Sequence, residues 1–396
     1  MTDKMPRDSK TSSKSAASPK PLRLLVAGGG TGGHLFPAIA IAQALQNKLD
    51  LEIRFVGSDK GIEATKIPAL GFRLYKLQVA GLYRVGKVKK ILSLLKLPIA
   101  FLQSLAILLT YRPNLVLGVG GYASGPLLLV ALFLGFKVVL QEQNASPGMT
   151  NRFLGRYAPL TLAPFAGLEE IFKNPVVVGN PIRKEIIAVA AQNLKKEEKP
   201  TKEVDFRPNF DERPFHIAIV GGTQGARVIN RAFCGLLDNL KNKKVKITHQ
   251  AGKLDFEEVT EIYKNYPHLD AEVTIFIDDM ADLYQNANLI ISRAGSMVAE
   301  FNAMGRASIL IPIPQASGDH QKQNALKLAE AGAAVLLEQK DLTPKSLLSE
   351  IEKLWGNPEA LRKMEKASQG LFNGDAAAQG ADVIIQFFEL TQFSKK

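Results

Sequence analysis

One cysteine among 396 residues, Cys234, excludes an intrachain disulfide and any cysteine metal cluster. It follows Phe233 in an apolar helical pattern, which marks a buried thiol, not a nucleophile. No basic stretch is interleaved with aromatic residues and no nucleic-acid-binding module is recognisable, so nucleic acid is not an expected partner. No pair of carboxylates and no His/Asp group stands at metal-ligand spacing, so no metal site is expected; separately, no cofactor is expected. The adjacent Asp278 and Asp279 read as a strand end and a helix cap.

The charge is lopsided. Lysine and arginine exceed aspartate and glutamate, giving a net charge of +12, which favours anionic partners such as phosphates or an acidic membrane surface. Residues 1–21 are rich in Ser, Lys and Pro without an apolar core, and read as a disordered tail, not a secretory signal.

From Leu22 onward, short apolar runs that end in glycine alternate with helical stretches: "LRLLVAGG", "LEIRFVGS", "PNLVLGVGG" and "FKVVLQEQN". A charged, proline-punctuated segment breaks that rhythm, and it restarts at "FHIAIVGGTQGARVIN". The pattern predicts an α/β protein of two doubly wound parallel-sheet domains facing a cleft. The expected division is a first domain over 22–184, a linker over 185–213, a second domain over 214–376 and a terminal helical segment over 377–396.

Three glycine-rich strand exits stand out: "GGGTGGH" from Gly28, "GVGGYASGP" from Gly118 and "GGTQGAR" from Gly221. Glycines there let backbone N–H groups approach a phosphate at a helix N-terminus. Gly28, Gly30 and Gly33 fit the dinucleotide spacing, but the second strand ends at Gly57 and Ser58 with Asp59 just beyond, so the ribose-binding acid is misplaced. A nicotinamide-dependent oxidoreductase is therefore an alternative reading, and a UDP-sugar epimerase is another. His34, at the exit of the first loop, reads either as a surface or capping histidine or as a base facing the cleft, since imidazole exchanges protons near neutral pH.

Seven motifs occur in order: "GGGTGGHLFPAIA", "GVGGYASGP", "QEQNASPGMTNR", "VVGNPIR", "GGTQGARVIN", "FIDDM" and "HQKQNA". Together they resemble the MurG family of peptidoglycan N-acetylglucosaminyltransferases, from about Leu22 to near the end of the chain. The resemblance implies a GT-B fold, with the final helix returning to the first domain. It implies metal-free, inverting transfer of N-acetylglucosamine from UDP-GlcNAc to the C4 hydroxyl of the muramyl sugar of lipid I, giving lipid II. The implied setting is the cytoplasmic face of the bacterial plasma membrane, with cell-wall synthesis proteins as further partners. Carried over by motif, Thr31, Gly32, Gly33, Asn144, Arg183, Thr223, Ile277 and Gln321 match donor-binding positions, with Thr223 standing where the family usually has Ser. Glu300 matches the ribose-binding acid, and His34 the histidine proposed as general base. Taken without the resemblance, Arg183 reads as a surface ion pair, Glu300 as a solvated helix residue and Asn144 as a turn former. The stretch "SRAGSMVAE" is one residue shorter than the family pattern, which leaves Ser296 and Met297 unassigned.

A lipid-linked acceptor requires contact with a bilayer. The segment Arg84 to Arg112 interleaves Lys87, Lys89, Lys90 and Lys96 with Ile91, Leu92, Leu94, Leu95 and Leu97. It does not read as a spanning segment, because Pro98 interrupts it and Gln103 and Ser104 dilute it. The expectation is that Lys87–Leu97 lies on anionic lipid while Leu102–Leu109 covers the sheet as core.

Overall fold

The computed structural model describes residues 21–30, 32–59, 61–79, 95–197, 213–222, 225–314 and 319–395. The expected tail, Thr31, Thr223 and the basic positions Lys87, Lys89 and Lys90 lie outside the described residues.

The first lobe runs β1 (Leu22–Ala27), α1 (Gly32–Lys48), β2 (Leu51–Ser58), α2 (Glu63–Ala69), β3 (Arg73–Leu77), α3 (Leu97–Tyr111), β4 (Leu115–Gly118), α4 (Ser124–Phe133), β5 (Val138–Gln141), α5 (Met149–Leu154), β6 (Leu160–Ala163) and β7 (Pro175–Val177). Helix α6 (Lys184–Glu197) crosses to the second lobe: β8 (Phe215–Val220), α7 (Arg227–Cys234), α8 (Leu237–Leu240), β9 (Val245–Gln250), α9 (Phe256–Tyr263), β10 (Asp270–Thr274), α10 (Met280–Asn286), β11 (Leu289–Ser292), α11 (Val298–Ala303), β12 (Ala307–Leu310), α12 (His320–Glu330) and β13 (Val335–Leu336). Helices α13 (Pro344–Trp355), α14 (Pro358–Gly370) and α15 (Ala376–Phe387) follow.

Both sheets are parallel, with strand orders β3-β2-β1-β4-β5-β6-β7 and β10-β9-β8-β11-β12-β13. Each order reverses beside its first strand, at β1/β4 and β8/β11, and that crevice is where open α/β sheets bind ligands. The central strands are apolar because helices cover both faces: every residue of β8 is buried, as is every residue of β4 and β5. The two-lobed α/β expectation holds.

Glycine is obligatory where the loops crowd. Gly121 has φ +81°, and a Cβ there would lie 2.8 Å from the Gly29 carbonyl oxygen, so the β1 and β4 loops meet backbone to backbone. Gly225 has φ +75°, and its Cβ would lie 2.2 Å from the Ala251 carbonyl oxygen.

Two sequence expectations change. The segment expected as a linker from 185 begins as helix α6, whose Ile186 and Ala190 are buried in the second lobe's core. Pro98 stands at a break in helix, as expected: Leu95 is helical, Lys96 is a turn, and α3 restarts at Leu97 with Pro98 in its first turn, where the missing N–H costs no helical bond. Leu102–Leu109 is not all core: Ala100, Ser104 and Leu108 face inward, while Leu102 is 68% and Leu109 53% exposed. Helix α15 packs Ala377, Ala381 and Ile384 into the first lobe's core alongside α1.

Candidate functional site

Between the lobes lies a cleft of about 560 Å³. Gly32, Gly33, Arg183, Ile277, Glu300 and Gln321 all line it, along with Ser296 and Met297. The motifs that supply these residues are scattered from α1 to α12, and the switch points of the two sheets bring them together.

Arg183 and Glu300 form a forked pair, Nε to Oε1 at 2.8 Å and one terminal nitrogen to Oε2 at 2.6 Å, with the Tyr284 hydroxyl donating to Oε2 at 3.1 Å. Glu300 is buried, not a solvated helix residue, and Arg183 is a cleft residue, not a surface cation. Burial opposes the Arg183 charge, but the hydrogen bond and charge of Glu300 outweigh it, so the guanidinium pKa is raised. Burial and the Glu300 charge likewise hold the Tyr284 hydroxyl protonated, well above the usual phenol range. The pairing leaves capacity on both sides. A carboxylate has about four lone-pair directions and three are taken here, so Glu300 retains room for one ribose hydroxyl. A guanidinium has about five N–H donors and two are taken, which leaves Arg183 able to reach a phosphate.

Two further arginines line the cleft, and the sequence reading passed over both. Arg227, at the start of α7, is held at 2.7 Å by the buried Asp255, which also accepts from Asn230 at 3.0 Å. Asn230 in turn meets the buried His249 at 3.1 Å. Arg293 donates to the Ile311 carbonyl at 2.9 Å, and burial pushes its pKa down to about 10, a cost that a bound anion would relieve. The signals were present in "GGTQGAR" and "SRAGS", but burial cannot be read from either. Gln321 accepts from Ile313 N–H at 3.0 Å, which leaves its NH₂ end to donate to a ligand. Asp279 caps α10 by accepting from Asp282 N–H at 2.9 Å, as expected.

His34 and Asn144 stand on the first-lobe side, outside the residues lining that cleft. His34 lies in the first turn of α1, half-buried, with Nδ1 2.9 Å from Gln143 Oε1. Asn144 shapes a turn: the buried Glu142 accepts from the backbone N–H of Gln143 and Asn144, from Asn144 Nδ2, from Gly148 N–H and from Asn151 Nδ2. Asn144 also joins the lobes, since its Oδ1 accepts from Asn324 of α12 at 3.3 Å while Asn324 Oδ1 accepts from Ala145 N–H at 2.9 Å.

The first glycine loop is anchored from inside. Buried Glu63 accepts from Gly30 N–H at 2.8 Å and from both Ser58 N–H and its hydroxyl at 2.8 Å. A carboxylate of the protein thus occupies an amide that a dinucleotide pyrophosphate would need, which counts against the nicotinamide reading.

A second surface lies on the first lobe. Helix α4 packs against both α3 and α5, and together they expose Ile99, Leu102, Phe133, Met149 and Phe153, with Phe133 88% exposed. Exposed Lys96, Arg112 and Arg152 belong to the same helices and their ends. Among the described residues, no helix is long and apolar enough to cross a membrane.

Two nucleotide-type lobes around a cation-lined cleft are the GT-B architecture, and the family matches make its class a glycosyltransferase. The glycosyltransferase family 28 N-terminal domain matches residues 24–162, and the family 28 C-terminal domain matches residues 216–380. The UDP-N-acetylglucosamine–N-acetylmuramyl-(pentapeptide) pyrophosphoryl-undecaprenol N-acetylglucosamine transferase of Syntrophus aciditrophicus is 42% identical over 93% of this chain and 99% of its own length. The crystal structure of Acinetobacter baumannii MurG superposes with a TM-score of 0.74 at 29% identity, covering 92% of this chain and all of that one. The chain belongs to this MurG family of N-acetylglucosaminyltransferases. The Neisseria meningitidis UDP-GlcNAc 2-epimerase bound to UDP-GlcNAc has a TM-score of 0.60 at 14% identity, covering 92% of this chain and 99% of that one, which is a likeness of fold alone.

Proposed function

We propose that this chain transfers N-acetylglucosamine from UDP-GlcNAc to the C4 hydroxyl of the muramyl sugar of lipid I, with inversion at the anomeric carbon. One observation carries the reading: residues matched to donor-binding positions from distant motifs share one cleft with three arginines, Arg183, Arg227 and Arg293. A diphosphate leaving group gathers negative charge in the transition state, and fixed guanidiniums in a half-enclosed cleft stabilise it there. The second lobe holds the donor, with Ile277 beside the uracil and Glu300 on the ribose. His34 takes the acceptor proton as the C4 oxygen bonds to the anomeric carbon and the bond to the UDP oxygen breaks.

The lipid-linked acceptor is met at an anionic membrane surface on its cytoplasmic side. The exposed apolar residues of α3, α4 and α5, flanked by Lys96, Arg112 and Arg152, support that placement. Charge reversal at Lys89, Lys90 and Lys96 is expected to weaken binding to anionic vesicles by about 1 kcal/mol per lysine while sparing UDP binding. Unchanged vesicle binding removes this part of the proposal.

The transfer is tested with UDP-GlcNAc and a lipid I analogue. His34→Ala is expected to lose about 10²- to 10⁴-fold in turnover with UDP affinity retained. Full turnover by the variant contradicts the base assignment, and consumption of UDP-GlcNAc without acceptor moves the reading to an epimerase.

A further inference from the structure

We propose that Gln143 is a positioning residue that holds His34 in its Nδ1–H form and thereby leaves Nε2 as the atom that accepts the proton. The proposal rests on His34 being the general base. Gln143 is fully buried, and its side-chain amide is locked from both ends. Its Nε2 lies 3.0 Å from the Val119 carbonyl oxygen and also bonds to Gln141 Oε1. Gln141 shows its oxygen to Gln143 because its own Nε2 donates to the Glu142 carbonyl at 2.8 Å. Turning the Gln143 amide over would set its oxygen against two oxygens that cannot donate, so the NH₂ end belongs on that side. The oxygen end then faces His34 Nδ1 at 2.9 Å.

An amide oxygen only accepts, so His34 Nδ1 carries the hydrogen. A neutral imidazole has one, so Nε2 bears the lone pair. The backbone fixes this corner as well, since Asn180 Nδ2 donates to the Gln143 carbonyl at 2.7 Å. A glutamine does here what a carboxylate does in a Ser-His-Asp triad, selecting the tautomer and the ring orientation. It does so without a charge. The same contact survives when Nε2 is protonated, because Nδ1 donates in both states, so the proton arrives without rearrangement of the partner.

The test uses the full chain labelled with ¹⁵N at histidine, with His34 assigned by comparison with His34→Ala. At about pH 8, where imidazoles are neutral, long-range ¹H–¹⁵N spectra are expected to show Nδ1 protonated and Nε2 unprotonated. A proton on Nε2 in the unaltered protein overturns the proposal, whether or not any variant folds. In Gln143→Met, kcat is expected to fall about 10- to 100-fold, with UDP affinity and the donor KM unchanged and the His34 signals moving toward the Nε2–H form. Unchanged kcat in a folded Gln143→Met also overturns it. Loss of turnover in His34→Ala stands apart from these outcomes: if that variant keeps its activity, the base reading fails, whichever tautomer is seen.

Discussion

The two lobes share one strand order through six strands, with β7 added in the first, and each has a switch-point crevice, yet the loops there use charge differently. In the first lobe, buried carboxylates turn inward: Glu63 gathers Gly30 and Ser58, and Glu142 gathers the loop from Gln143 to Asn151. Those loops satisfy themselves, and the rigidity is spent on holding an imidazole. In the second lobe the corresponding place opens onto the cleft, and Arg227 and Arg293 line it, one braced by Asp255 and the other buried beside a carbonyl. On the proposed function, the uracil and ribose fall to one copy of the fold and the base to the other. An internal carboxylate takes up a loop amide that a phosphate cradle would use, beside the His34 that the proposed function makes the base.

The largest effect that sharpens this contrast is expected on the second-lobe side of the cleft. Arg183→Ala strands the buried Glu300 with Tyr284 as its remaining partner, which costs roughly 3–5 kcal/mol of stability and weakens UDP binding about 10- to 100-fold. Calorimetric titration with UDP and thermal unfolding measure both, and unaltered UDP affinity would remove Arg183 from the donor site. In the first lobe, Glu63→Ala leaves the half-buried N–H of Gly30 and the buried N–H of Ser58 without their carboxylate, at a cost of about 3 kcal/mol, but UDP affinity should stay within about threefold. A large loss of UDP affinity in a folded Glu63→Ala would break the contrast, because it would place the diphosphate on the Gly28–Gly30 amides that Glu63 organises.

Acid gives a smaller, lobe-specific effect. His216 and His249 are both in the second lobe; burial, then Lys246, lowers the pKa of His216, and burial brings that of His249 down to about 3. Both bind a proton less readily when folded than when unfolded, where histidines protonate near 6.5. The unfolded state therefore binds more protons as pH falls, so this contribution is fully present above about pH 6.5 and declines toward about pH 3 for His249. At pH 5 the His249 share is about 2 kcal/mol. Hydrogen exchange between pH 7 and 5 should show β8 and β9 losing protection before β1 and β4, and equal loss in both lobes would contradict it.

Much of the architecture was legible because apolar runs that stop at glycine are what a strand leaving a covered parallel sheet looks like, as at Val26–Gly28 and Val220–Gly222. Asp279 was legible for the same local reason, since a cap acts within one helical turn. Long-range partnerships were not. Nothing near Glu63 announces that it reaches Gly30, 33 residues away, or near Gln143 that it meets His34, 109 residues away. The exposed Leu102 and Leu109 misled because apolar periodicity marks a face without naming what covers it. Pro98 was legible because proline acts locally: the chain leaves helix at Lys96 and α3 restarts with the proline in its first turn.

A crystal structure of the chain with UDP tests the division of labour most directly. The account predicts uracil beside Ile277, the ribose at Glu300, the diphosphate among Arg183, Arg227 and Arg293, and the His34 imidazole facing the gap between the lobes. Uracil and ribose bound instead on the first lobe, away from Ile277 and Glu300, or His34 turned away from the gap, would contradict it.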